Sequence, residues 1–386
     1  PDAAAWTLAA LRTAGLEPTT GLPRALRLRR VLARARHLAT DLASAPSTSL
    51  ADDPGTAAAA GLLCELAPDA WEGLPGPGLA ALERLLAVLG GRAPGGETAF
   101  ALTCASVVAA AEGRLGTVRR LREAAEDCLA RIRDGEDSRL ALRARVLLAS
   151  RVLPSLLPPG ACQRALIVAW DRALAAGDPE AASLAAGAYA AAVVCAGGDA
   201  RSARDELLAF ERTLAPFPEV PGAPVVRLYR CFLERQLCPG GDAAPAARAV
   251  FEAALAGAGE PARAHAALLQ GWTALLDGDP ARALAAFDEA SAGAPPVLPD
   301  PPGARRLALE AVARLTVRDG AGVRRRGRST HRRLVQWRGR GLATPPPALL
   351  EAVLLAAARP ERAARGAAAD GAEIGRASCR ERVFPV

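Results

Sequence analysis

The stretch "GDPARALAAFDEASAGAP", Gly278 to Pro295, has the pattern of a turn, an amphipathic helix and a stop. Glycine suits the left-handed conformation that follows a helix end, and proline suits the first turn of the next helix, where its missing N–H is not needed. Ala283, Phe287 and Ala290 follow at spacings of four and three, which places them on one helical face. The stretch therefore predicts the second helix of a helix pair.

The residues before this stretch predict the first helix of the same pair. Leu268, Gly271, Trp272 and Leu275 stand at i, i+3, i+4 and i+7, so they share one continuous face. A small residue at Gly271 lets the two helices approach closely, and we expect Phe287 to fill the space between them.

The same pattern occurs earlier in the chain. "GGDAAPAARAVFEAALAGAG" places Ala247, Phe251 and Ala254 at the same spacing, 36 residues before their counterparts. Further upstream, "GGDARSARDELLAFERTL" keeps Ala203 but has Leu207 where the aromatic residue belongs. Glycine- and proline-rich hinges near Gly113, near Gly160, at 197–199, at 240–242, at 278–279 and at 319–320 recur about every 37 to 47 residues, the spacing of helix-pair repeats.

The unit from Pro261 to Pro295 resembles a tetratricopeptide repeat. The resemblance lies in the small Gly271 within the first helix, the series Ala283, Phe287, Ala290 in the second, and the closing proline. It implies an all-α fold, a right-handed superhelical solenoid of antiparallel helix pairs whose first helices line a concave groove. An irregular alanine-rich helical bundle is the alternative.

The repeats match unevenly along the chain, which predicts four regions. We expect degenerate helical repeats in 1–95, tetratricopeptide-like pairs in 96–295, and further helical repeats in 296–372, within which 323–340 is rich in arginine. The last region, 373–386, begins with "EIGRASCRERV", which resembles a translated sequencing adapter, and we expect it to be a non-native tail.

Composition agrees with an all-α fold. Apolar residues make up 51% of the chain and aromatic residues only 4%, so alanine and leucine, strong helix formers, must build the core. The chain has no Met, Lys or Asn, a bias typical of a GC-rich bacterial gene. Its eight scattered cysteines include no C-x-x-C and predict buried structural thiols. We see no signal peptide or transmembrane stretch and expect a cytoplasmic protein.

The tetratricopeptide resemblance also implies which side chains face the groove, where this family commonly holds an extended peptide or a partner helix. Core packing between neighbouring repeats is the alternative for several of them. The positions carried over by register are His265, Leu268, Trp272, Leu275 and Leu276 in the best-matching unit, and Leu228, Cys231 and Arg235 in the unit before it.

A second candidate surface is the arginine-rich segment 323–340, which carries eight arginines and no acidic residue. Guanidinium groups suit phosphate or carboxylate partners, and Trp337 is placed to stack on a base. A solvated or acidic-partner face on another repeat helix is the favoured interpretation, and nucleic-acid binding the alternative. The arginines are Arg324, Arg325, Arg326, Arg328, Arg332, Arg333, Arg338 and Arg340.

No motif in the chain predicts catalysis. Without lysine there is no P-loop, and G-x-S-x-G and H-E-x-x-H are absent. "GPGLAA" at 76–81 follows no strand, so it does not predict a dinucleotide site. We therefore expect a non-catalytic protein–protein interaction scaffold without cofactor or metal. The alternatives are a sensor or signal-transduction module of a multidomain bacterial transcriptional regulator or kinase, and nucleic-acid binding through the arginine-rich segment.

Overall fold

A computed structural model of the chain describes residues 23–42, 54–66, 77–90, 94–132, 138–197, 199–238, 243–259, 262–289 and 301–317. Every regular element in this part is helical, so the predicted all-α class is confirmed for these residues. The α-helices are α1 Arg24–Asp41, α2 Pro54–Leu66, α3 Pro77–Val88, α4 Gly96–Ala111, α5 Leu115–Ala130, α6 Arg139–Leu147, α7 Pro159–Ala175, α8 Pro179–Ala196, α9 Ala200–Leu214, α10 Ala223–Leu237, α11 Ala243–Ala256, α12 Arg263–Leu276, α13 Pro280–Glu289 and α14 Pro301–Thr316.

The turn between α12 and α13 shows how one helix ends and the next begins. Gly278 has φ 81°, and its N–H donates to the carbonyl of Leu275 at 3.1 Å. The next N–H, of Asp279, donates to the carbonyl of Ala274 at 2.8 Å, which completes a Schellman ending. The Asp279 carboxylate then accepts from the N–H of Arg282 at 2.9 Å and caps α13. The dipeptide Gly-Asp therefore both ends α12 and starts α13.

Left-handed glycines occur at three further hinges of the described chain. Gly113 and Gly197 confirm hinges that the sequence predicts, and Gly177, which it did not predict, follows α7 in the same way. The hinge predicted near Gly160 is also confirmed, because residues 156–158 are not helical and α7 begins at Pro159; Gly160 itself lies in the first turn of α7. The predicted hinges at 240–242 and 319–320 lie outside the described residues.

The chain divides into two compact units. The described residues of the first unit lie within 23–156 and 172–181, and those of the second within 157–171, 182–289 and 301–317. Position 95, where the sequence predicts a boundary between regions, lies inside the first unit. Leu85 before this position and Phe100 after it belong to the same hydrophobic core.

Helix α4 forms the centre of the first unit. All but two of its sixteen residues are buried, so α4 is surrounded by neighbours and has no polar face. At its start a Cβ on Gly96 would overlap the Ser138 hydroxyl before α6. The close approach of α4 to α6 therefore depends on glycine at this position.

Two carboxylates form ion pairs between residues of the first unit. Glu83 of α3 is buried and lies 3.8 to 3.9 Å from guanidinium nitrogens of Arg27, Arg30 and Arg34 on α1. Glu180, at the start of α8, accepts from Arg139 at 2.6 Å and from Arg143 at 2.7 Å. Glu83 thus ties α3 to α1, and Glu180 ties the first residues of α8, which belong to the first unit, to α6.

The second unit contains close contacts between helices, among them the predicted contact of α12 with α13. A Cβ on Gly271 would lie only 2.7 Å from Cζ of Phe287, so α12 and α13 touch where glycine permits it. Phe287 is completely buried, which confirms its predicted place between the two helices. Similarly, the N–H of Gly222, which precedes α10, donates to the Ser183 hydroxyl of α8 at 3.2 Å.

Helix α8 is the one helix of the described part that is long and apolar enough to cross a membrane by length and composition. In the structure 72% of it is buried. This burial is that of a core helix.

Candidate partner-binding surface

The eight positions predicted to face a groove lie on α10 and α12, which pack against each other. We call these positions the first-helix surface. Half of them are buried in the structure and half are partly exposed. The buried ones are Leu228, Cys231, Leu268 and Trp272, and the partly exposed ones are Arg235, His265, Leu275 and Leu276.

The four buried side chains belong to the core of the second unit. Trp272 lies 4.9 Å from the ring of Phe232 on α10, and Phe232 lies 5.9 Å from Phe251 on α11. These aromatic contacts connect three consecutive helices and hold the base of the surface rigid. A partner that approaches the surface as it stands reaches the four partly exposed side chains.

Arg235 connects three helices at one end of the surface. Its Nη2 donates to both carboxylate oxygens of Asp277, at 2.9 Å each, and its guanidinium carbon lies 5.9 Å from the centre of the Phe251 ring. Asp277 is the C-cap residue of α12, so the ion pair ties the end of α12 to α10. Only 11% of the Arg235 side chain is exposed, and this charge already has a partner within the chain.

A line of polar side chains crosses the other end of the surface. The buried hydroxyl of Tyr229 on α10 lies 3.0 Å from Nδ1 of His265 on α12 and 3.9 Å from Sγ of Cys195 on α8. The Tyr229 and His265 rings meet nearly edge to face at 5.6 Å. Because a buried phenol needs a hydrogen-bonding partner, this contact fixes the position of the partly exposed His265.

Arg305 of α14 contacts the same region, although it lies 110 residues after Cys195 in the sequence. Its Nε and Nη2 donate to the carbonyl of Cys195 at 3.1 and 2.8 Å. Its guanidinium carbon also lies 4.8 Å from the centre of the Trp272 ring. Arg305 is only 3% exposed, so α14 covers part of the first-helix surface.

The sequence interpretation did not identify Arg305 or Tyr229. The sequence of α14 does indicate that Arg305 is buried. Arg305 stands three and four residues before Ala308 and Leu309, so it shares a helical face with these two buried residues. An arginine on the apolar stripe of a helix indicates a buried guanidinium with specific partners. Tyr229 has no comparable signal, because an aromatic residue in a helix is usually core.

The described cysteines do not form a reactive or metal-binding centre. Six of the seven are buried and none of them forms a disulfide, which confirms the predicted structural thiols, while Cys379 lies outside the described residues. Burial raises the pKa of Cys128 and of Cys162 to about 11, so both thiols stay protonated at neutral pH. Within the described chain, no three His, Cys, Asp or Glu residues are grouped so as to hold a metal ion.

The second candidate surface, the eight arginines of 323–340 with Trp337, lies outside the described residues. So do Ala290 and Pro295, two of the residues that carry the repeat resemblance. No protein-family model matches the chain, and no curated protein or solved structure matches it.

Proposed function

We propose that this chain is a non-catalytic scaffold for protein–protein interaction. Its helix pairs form a right-handed tetratricopeptide-like solenoid in the cytoplasm, and the first-helix surface binds a peptide or a partner helix. One observation carries the proposal: His265, Leu275 and Leu276 lie partly exposed on α12, above a base that aromatic and ion-pair contacts hold rigid. Such an arrangement suits binding because little side-chain freedom remains to be lost.

The repeated geometry of the hinges supports the repeat architecture. Asp178, Asp199 and Asp279 each follow a left-handed glycine by one or two residues and accept an N–H of the next helix at 2.9 Å. A scaffold of stacked helix pairs presents its first helices side by side and so offers an extended surface.

The proposal is tested with peptides selected for binding to the full chain from a random display library. Titration calorimetry then compares a selected peptide on the wild-type chain and on Leu275→Glu, which places a charge on the first-helix surface. We expect at least about tenfold weaker binding, since one buried apolar contact is lost and a charge is desolvated. Val250→Glu is the matched control, because Val250 is an exposed apolar residue of α11. Equal effects of the two changes would contradict the proposal.

A further inference from the structure

We propose that α14 is an internal ligand of the first-helix surface, anchored by Arg305, and that the partner is an amphipathic helix presenting an arginine in the same way. The inference rests on the proposed function and deepens it, since it names the chemistry of the partner. It also explains why a surface offered for binding is partly covered in the isolated chain.

The first part of the anchor site is the end of α8. The last four carbonyls of a helix lack donors within that helix, and they form the negative end of the helix dipole. Cys195 is the penultimate residue of α8, and its carbonyl accepts two N–H groups from Arg305. The site therefore offers a cation-binding acceptor made of backbone, which any suitably placed arginine can use.

The second part of the anchor site is the face of Trp272. The guanidinium lies over this ring at 4.8 Å, within the range of an attractive cation–π contact. Phe232 packs against the same indole and fixes its orientation. A planar guanidinium satisfies the carbonyl and the ring together, whereas an ammonium group has no flat face to stack.

The rest of α14 shows what else the partner helix must carry. Ala308, Leu309 and Ala313 follow Arg305 at three, four and eight residues, so they lie on the same side of α14 and are buried with it. Small residues on this stripe let the helix lie close to its neighbours. Arg314 adds an ion pair of 3.6 Å to Asp288 on α13.

The connection between α13 and α14 decides how strongly the internal ligand competes. Eleven residues, 290–300, separate the two helices in the chain, so α14 binds intramolecularly and has a high effective concentration at its site. A free helix with the same contacts must exceed this effective concentration before it replaces α14. Loss of the Arg305 contacts should therefore open the surface to a helix added in solution.

The test is fluorescence anisotropy with a labelled synthetic peptide of residues 299–318, PDPPGARRLALEAVARLTVR, and three full-length chains. The chains are wild type, Arg305→Gln and, as the control, Arg282→Gln, which changes an exposed arginine of α13. We expect Arg305→Gln to bind the peptide at least about tenfold more tightly than the wild type, and Arg282→Gln to match the wild type. The peptide with glutamine in place of its own Arg305 should lose most of this binding.

Equal peptide binding by wild type and Arg305→Gln would overturn the inference. If Arg305→Gln loses its helical circular dichroism, Arg305→Lys replaces it, since lysine keeps the charge but loses the forked hydrogen bonds and the stacking. This variant should show a smaller gain in the same direction, and no gain would again overturn the inference. The two proposals can fail separately. If a display-selected peptide needs Leu275 for binding but the α14 peptide binds none of the three chains, this inference is refuted and the proposed function stands. Failure of both peptides would refute both.

Discussion

Phe287 shows how much one residue decides at the smallest scale. Its ring fills the space between α12 and α13, and it lies so close to Gly271 that no side chain fits there. The pair is complementary, because a large residue on one helix meets the smallest residue on the other.

Replacing Phe287 with alanine should lower the free energy of unfolding by about 3 to 5 kcal/mol, since the change leaves a cavity in a closely packed pair. Gly271→Ala should cost about 1 to 3 kcal/mol, because its Cβ must displace the ring. Urea unfolding followed by circular dichroism measures both. Phe217, an exposed phenylalanine, is the control, and Phe217→Ala should change stability by less than about 0.5 kcal/mol. A Phe287→Ala variant as stable as this control would show that the ring is not packed as described.

Glu180 provides a prediction that depends on pH. Partial burial by itself raises the pKa of Glu180, but the hydrogen bonds and charges of Arg143 and Arg139 outweigh this and hold the pKa below its ordinary value. A carboxylate with a lowered folded-state pKa stabilises the fold above its unfolded-state pKa, and this contribution is lost as the pH falls through the folded-state value.

Glu180→Gln should therefore lower the free energy of unfolding by about 1 kcal/mol at pH 7, a modest value because the carboxylate is partly exposed. Below the ordinary pKa of 4.5 the difference from wild type should shrink, and it should vanish once the pH passes the lower folded-state pKa. Denaturant unfolding at a series of pH values measures the difference. Glu252→Gln, at an exposed position of α11, is the control. A difference between wild type and Glu180→Gln that does not change with pH would refute the ion-pair explanation.

At the scale of the element, the Gly-Asp turns set where helices end. Local sequence accounts for most of this level: the sequence predicts α12 and α13 from their periodicity, and Gly278 and Asp279 carry the turn chemistry themselves. Gly177 has the same chemistry in "AGDPEA", and it was missed because it falls between two hinges, near Gly160 and at 197–199, that already match the repeat spacing. Turn chemistry is a local property, and so it predicts helix ends that the repeat spacing does not.

Gly278→Ala should lower the free energy of unfolding by about 1 to 2 kcal/mol, because a Cβ is unfavourable at φ 81° even though no atom lies within 4 Å of it. Gly61→Ala is the matched control, since Gly61 lies inside α2 with ordinary backbone angles and equally open space. This control should raise stability by about 0.5 to 1 kcal/mol through helix propensity. Chemical unfolding of the two variants gives the comparison, and a shift of the same sign in both would show that the turn is not left-handed.

At the scale of the whole molecule, each of the two units has its own buried side chains. Leu102 of α4 is completely buried in the first core, and Phe287 is completely buried in the second. Such units often open separately, with different free energies of local unfolding.

Hydrogen exchange followed by mass spectrometry should separate the two units. Leu102→Ala should reduce protection mainly in α1 to α6, because the cavity it leaves weakens only the core to which Leu102 belongs. Phe287→Ala should reduce protection mainly in α9 to α14 for the same reason. Uniform loss of protection in both variants would instead identify a single cooperative unit.

The amino-acid sequence by itself determined the helices, the turns of the best-matching pair and the burial of Phe251 and Phe287, because periodicity and turn chemistry are local properties. It also placed eight residues on the first-helix surface. Only the tertiary structure divided them into four buried residues, such as Trp272, and four partly exposed residues, such as Leu275. Periodicity shows which side chains share a face, but not which neighbour covers that face. The contact of Arg305 with Cys195 depends on the packing of helices 110 residues apart, and so no local pattern contains it.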